Sequence, residues 1–269
     1  MRSGQNWLTD CRTERCDDMA NLSPDTYIRV NGVMVKSYLL TEHNPNRIDM
    51  PSKRVKPLAG VTIHNTGAIK VSGTTMAEQY TRATKNGNMN SVRVHYYVDD
   101  DEAWQSLPLT WQSWHAGQKG KYDANGSEAG NAQTISVECI MKGDGSEKDI
   151  KAEDNAARLI AWLCDYYGLN PDKQLFTHNY WCNVRNGIKG TVRDLNIWDD
   201  GYKKCPIYIR PHWDAFVAKV KGYMKKAEVE KPKPKYYVQV GAFSCKETAE
   251  EYLRNVRRVF PDAFIKVIE

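Results

Sequence analysis

"LAGVTIHNTG", residues 58–67, decides how the rest of this chain is read. Val61, Thr62 and Ile63 are β-branched and favour extended backbone, and Gly67 closes the run into a loop. On a strand, alternate residues share a face. Val61 and Ile63 therefore point one way, and Thr62 and His64 the other. A histidine on the polar face, at a strand-to-loop junction, stands where scaffolds present functional groups.

Working outward, the same logic predicts a run of strands and helices. "YIRVNGVMVKSYLL" (27–40) reads as a hairpin about Asn31-Gly32, a dipeptide suited to a type I′ turn. "TTMAEQYTRATKNG" (74–87) reads as a helix, with Thr75 and Glu78 as a capping box and Gly87 as its end. Residues 91–100 and 102–107 read as paired strands, and "QTISVECI" (133–140) as another. "DIKAEDNAARLIAWLCDYYG" (149–168) carries Ala156, Ile160, Leu163 and Tyr167 at helical spacing and stops at Gly168. "QLFTH" (174–178) is a short strand, and 211–226 a last helix after Pro211. These elements imply a mixed α/β domain over residues 25–224.

Either side of that domain the composition changes. Residues 1–24 are polar, lack periodicity and read as loosely ordered. "KKAEVEKPKPK" (225–235) has the charged, proline-rich character of an exposed linker. Residues 236–269 then read strand, helix, strand. A β-α-β tail that short buries too little surface to stand alone.

The 269 residues are 41% hydrophobic and 26% charged, ordinary values for a chain that buries a core. The net charge of +5 suits an acidic or polymeric partner and is too weak to argue for nucleic acid. No stretch approaches the ~18 apolar residues of a transmembrane helix. The N-terminal segment has no apolar run of the export-signal kind, so synthesis in a cytosol is the expectation. Seven scattered cysteines without such a signal favour reduced thiols.

His64, His178 and Cys205 each sit next to turn residues. Two histidines and a cysteine form a Zn²⁺ ligand set with one position open, the arrangement of a catalytic site. Their separation in sequence is long, so packed or surface side chains remain the alternative reading. Glu138 shares a strand face with Thr134 and Ser136, and a carboxylate there is costly to bury unless paired. It is either half of a salt bridge or a general base. Trp104, Trp111, Trp114, Trp181 and Trp198 either build core and cleft wall or stack sugars.

Six segments in this order carry a resemblance: "GVTIHNTG", "VRVHYYVDDDEAWQSLP", "SWHAGQ", "TISVECI", "LFTHNYWCNV" and "KKCP". Across residues 27–220 the chain resembles the type-2 N-acetylmuramoyl-L-alanine amidases, a zinc family that includes phage endolysins, autolysins and peptidoglycan recognition proteins. The resemblance implies a mixed central β-sheet flanked by helices, with a zinc cleft at one edge. It implies His64, His178 and Cys205 as ligands of one Zn²⁺, Glu138 as general base, and Lys203 or its neighbour Lys204 as partner to the oxyanion. His115 of "SWHAGQ" is implied to touch substrate or steady the site. Other members place a tyrosine where this chain has Val94, which adds weight to Glu138.

The activity so implied is hydrolysis of the amide between the lactyl group of N-acetylmuramic acid and L-alanine in peptidoglycan. A phage endolysin, made in the host cytoplasm and acting on the wall after release, fits an expectation of no export signal. A bacterial autolysin or sporulation-related amidase is the alternative. So is a protein that holds muropeptides without cutting them, although such proteins typically lack the cysteine. A Cys205 thiol nucleophile paired with His178 is a third option. The tail resembles half of a SPOR domain, a glycan-binding module, through "YYVQVGAFSCKETAEEYLRNV" and "DAFIKVIE". Two chains pairing their tails into a homodimer would complete one module.

Overall fold

The computed structural model describes residues 22–44, 48–116, 127–199, 203–224 and 244–259. The hairpin forms from β1 (Thr26–Val30) and β2 (Val33–Ser37). Asn31 and Gly32 between them have φ of 45° and 90°, as a type I′ turn requires. Most of residues 58–67 form β3 (Gly60–Gly67). Next come α1 (Met76–Lys85), β4 (Tyr96–Val98), β5 (Ala103–Gln105), α2 (Ser127–Gln133) and β6 (Thr134–Met141). The long helix α3 (Glu147–Tyr167) is followed by α4 (Pro171–Gln174), β7 (Leu175–Thr177), α5 (His178–Arg185) and α6 (Val192–Ile197). A 3₁₀ turn (Arg210–His212) leads into α7 (Trp213–Tyr223), and α8 (Lys246–Val259) lies in the tail.

The seven strands form one sheet in the order β1-β2-β5-β4-β6-β3-β7. Pairings β1–β2 and β4–β5 are antiparallel, and the other four are parallel. The expected mixed sheet is therefore present. Its two faces carry different cargo. Val61, Ile63, Ile135, Val137 and Cys139 pack with Ala156, Leu159, Ile160 and Leu163 of α3 and with Phe216 and Val220 of α7. Full burial of each such aliphatic side chain stabilises by about 1.5–3 kcal/mol. The opposite face sets Tyr97, Trp104 and Ile140 against Ala77 and Tyr80 of α1. That second face is the one shared by Thr62 and His64 of β3 and by Thr134, Ser136 and Glu138 of β6.

Capping follows the sequence in part. Ser146 caps α3, and Gly168 ends it in the left-handed region at φ 65°. Thr75 accepts from the Glu78 amide, as expected. The Glu78 carboxylate instead takes the Leu22 amide at 2.7 Å and Arg82 at 2.8 Å. Of the tail, the helix is described and carries Arg258, paired with Glu42 at 2.6 Å. The expected tail strands, the linker and residues 1–21 lie outside the described residues.

Candidate metal centre

Three chain segments converge at one place. β3 delivers His64, and the register sets it beside Glu138 on β6. β7 runs straight into α5, whose first residue is His178; Thr177 caps that helix by accepting from the Tyr180 amide at 2.9 Å. The third segment, 203–209, brings Cys205. Each histidine is followed by an asparagine that meets this third segment, Asn179 through its backbone and Asn65 through its side chain. The backbone N–H of Asn179 donates to the Cys205 carbonyl at 2.9 Å. Asn65 Oδ1 accepts from the amides of Tyr208 (2.9 Å) and Ile209 (3.3 Å).

One donor atom each from His64, His178 and Cys205 lie within 4.8 Å of one another. Cys205 Sγ is 3.6 Å from His64 Nδ1. Zinc–nitrogen and zinc–sulfur bonds of about 2.0–2.3 Å in a tetrahedron separate ligand atoms by roughly 3.5 Å, so the triad has the right size. Its electrostatics suit a cation as well. Burial, aided by neighbouring His115, His178 and Lys203, holds His64 well below the usual imidazole pKa; burial and Lys203 do the same for His178. Both rings are therefore neutral and able to offer a lone pair. Burial and the Glu138 charge push the metal-free Cys205 thiol up to about 12, so metal binding would displace its proton.

Glu138 stands beside the triad, 3.8 Å from His64 Nδ1 and with a side chain 13% exposed. Its Oε2 is buried and has no hydrogen-bond partner among the described residues. An orphaned carboxylate oxygen next to three neutral donors is what an absent cation or its water would satisfy. Burial raises the metal-free Glu138 carboxyl to about 8, against the pull of Lys203. The charge of Lys203 reaches all four residues. Lys204 turns away, 3.5 Å from Asp199.

His115 is 8% exposed. Its Nδ1 lies 2.7 Å from His64 Nε2, and its Nε2 lies 3.1 Å from the Gly130 carbonyl. Both nitrogens are thus engaged inside the protein. The tryptophans span the range of burial, with Trp111 and Trp114 half-buried. Trp104 and Trp181 are core, whereas Trp198 is 53% exposed. The Trp198 carbonyl accepts from Asn179 at 2.6 Å and Asn183 at 3.1 Å, which ties it to the helix that begins at His178. Sequence reasoning missed Asn65 and Asn179, although the dipeptide His-Asn recurs at both junctions and was a visible signal.

A buried histidine, a half-buried histidine and a half-buried cysteine with a loose carboxylate beside them form a group that could hold a metal ion. The family model described as "N-acetylmuramoyl-L-alanine amidase" matches residues 54–206, a span holding His64, His115, Glu138, His178, Lys203 and Cys205. The chain belongs to that family. It is 31% identical over 172 residues to N-acetylmuramoyl-L-alanine amidase XlyA of Bacillus subtilis, covering 64% of this chain and 47% of XlyA. It is 29% identical over 185 residues to N-acetylmuramoyl-L-alanine amidase CwlH of the same organism, covering 69% of this chain and 60% of CwlH. The match thus spans roughly half the length of these curated relatives. The solution structure of the PlyG catalytic domain superposes with a TM-score of 0.50 at 29% identity, over 75% of this chain and 99% of that domain. The metal-capable centre thus lies within the matched region. No helix among the described residues is long and apolar enough to cross a membrane.

Proposed function

We propose that this chain hydrolyses the amide joining the lactyl group of N-acetylmuramic acid to L-alanine in peptidoglycan. The observation that carries this reading is the convergence of His64, His178 and Cys205, with Glu138 Oε2 unpartnered beside them among the described residues. Those three residues would hold one Zn²⁺, which when bound polarises the scissile carbonyl and acidifies water. Glu138 accepts a proton from the attacking water as its oxygen bonds to the carbonyl carbon. The carbon–nitrogen bond then breaks, and Glu138 returns that proton to the leaving amine. Lys203 sets its positive charge near the oxygen that becomes anionic; losing one such donor costs roughly 3–4 kcal/mol in other enzymes. Cys205, with its thiol raised to about 12, is a poor free nucleophile and a good ligand.

Digestion of purified peptidoglycan tests the reaction. New amino-terminal L-alanine without new reducing sugar is the expected result, and new reducing ends without free L-alanine termini would overturn it. Chelation should abolish activity and zinc should restore it, with about one equivalent of metal per chain.

The biological setting is part of the proposal. A phage endolysin opening the host wall is supported by the resemblance of the six motifs. Co-expression with a membrane-pore protein should then lyse the host, and expression alone should not. Homodimerisation through the tail is supported by Ala249, Leu253 and Val256, half-buried at helical spacing on α8, and by Tyr252, 39% exposed on the same helix. A monomer mass in light scattering at tens of micromolar would remove it.

A further inference from the structure

A buried chain of hydrogen bonds runs from Trp181 to His64, and its two ends fix every proton along it. An indole N–H only donates, and a peptide carbonyl only accepts. Trp181 Nε1 donates to Thr62 Oγ1 at 2.9 Å, so the Thr62 hydroxyl spends its own proton on Thr134 Oγ1 at 2.9 Å. Thr134 in turn donates to the Gly130 carbonyl at 2.5 Å. His115 Nε2 therefore meets two groups that offer only lone pairs: the Gly130 carbonyl at 3.1 Å and Thr134 Oγ1 at 3.2 Å. That nitrogen must carry a hydrogen.

The consequence passes to the metal centre. His115 is buried with no carboxylate against it, and with its one ring hydrogen spent at Nε2 its Nδ1 is left to accept. His64 Nε2, 2.7 Å away, must then donate to it. A neutral His64 protonated at Nε2 has its lone pair on Nδ1, the nitrogen that faces Cys205 Sγ at 3.6 Å and Glu138 Oε1 at 3.8 Å. Two further features lock the relay. The amides of His115 and Ala116 both donate to Asn131 Oδ1, at 2.9 and 2.8 Å. Gly130 admits no side chain, since a Cβ there would lie 2.8 Å from Ala116 Cβ and 3.1 Å from the Trp181 ring.

We propose that His115 is a positioning residue: by accepting from His64 Nε2 it holds His64 in the one tautomer whose Nδ1 is open to a divalent metal, before any metal arrives. This rests on reading His64, His178 and Cys205 as the metal ligands. It assigns His115 to the far side of a ligand rather than to substrate.

The test uses the full-length chain with ¹⁵N-labelled histidine, stripped of metal. Long-range proton–nitrogen spectra should show His64 and His115 each protonated at Nε2 with a bare Nδ1. A His64 protonated at Nδ1, or averaging between tautomers, overturns the proposal whether or not zinc binds. Zinc affinity, measured by competition with a chelator, supplies the second arm. H115A should weaken zinc about 10–100-fold, the usual loss when a ligand loses its outer partner. H115N, whose amide oxygen can accept at the place of Nδ1, should recover most of it. Unchanged affinity in H115A, or equal loss in both variants with equally lowered melting temperatures, overturns it. A wild-type chain that takes up no zinc instead sinks the metal reading, and the spectra still decide the relay.

Discussion

Glu138 and Glu153 are two largely buried carboxylates that the fold treats in opposite ways. Glu153, on α3, takes His212 Nε2 at 2.7 Å and Lys219 Nζ at 2.5 Å, so both oxygens are answered. Glu138, on β6, has one oxygen with no partner among the described residues and only a histidine 3.8 Å from the other. Burying a carboxylate without a partner is costly, so a chain built for stability alone would pair both. The difference separates a carboxylate that joins helices from one left open beside His64, His178 and Cys205. It also explains why the pKa of Glu138 rises: nothing nearby except Lys203 offsets its burial.

The largest effect should come from exchanging the two roles. Glu138→Gln should lower turnover on peptidoglycan by about 10²–10⁴-fold, the range of a general acid–base group, with bound zinc unchanged. Glu153→Gln should leave turnover near wild type; a matching loss there would erase the distinction. The second effect is on stability. Glu153→Ala strands His212 and Lys219 and should cost about 1–3 kcal/mol in urea unfolding, whereas Glu138→Gln should cost nothing.

A third contrast appears with pH in metal-free protein. The Glu138 carboxyl titrates near 8 when folded, against 4.5 for an unperturbed group. The folded state therefore binds the proton more tightly, and the wild type loses stability as pH rises from about 4.5 through 8. Glu138→Gln removes that loss, so denaturation with a chelator present should show the variant gaining on the wild type across this window. A constant difference would put Glu138 in a wetter place than it occupies here. The smallest effect is on thiol chemistry, where burial again opposes charge. Burial raises Cys164 to about 12 and also lifts Cys139 well above the usual thiol range, while Cys245 is exposed. At pH 8 a thiol reagent should label Cys245 in the native protein and reach Cys139 and Cys164 only after unfolding, as peptide mass mapping can check.

The same division between paired and unpaired groups governs what the sequence made legible. The strands and α3 stood out because their buried faces are apolar: Val61 and Ile63 alternate, and Ala156, Ile160 and Leu163 recur at helical spacing. Helix α5 was missed because its buried side is largely polar. Asn179, Cys182, Asn183 and Arg185 are all buried there, and the two asparagines bind carbonyls at the end of α6 rather than packing as hydrocarbon. Hydrophobic periodicity cannot report a helix seated by amide groups. The capping box at Thr75 failed by half for a related reason, since the distant Leu22 amide captured the Glu78 carboxylate. Of the centre, His64, His178 and Cys205 were individually visible as turn-proximal donors. Only the crossing of β3 past β6 and β7 could bring them together, and strand order has no local signature. Lys203 and Lys204 likewise differ by the course of one loop, which sets Lys204 3.5 Å from Asp199.

Asn65 and Asn179 have a further consequence. The segment bearing Cys205 is fastened to the two histidine junctions by amide hydrogen bonds that involve no ion. A zinc finger collapses when stripped; here the three segments are joined without an ion, so removal of a bound metal is expected to leave the sheet and helices in place.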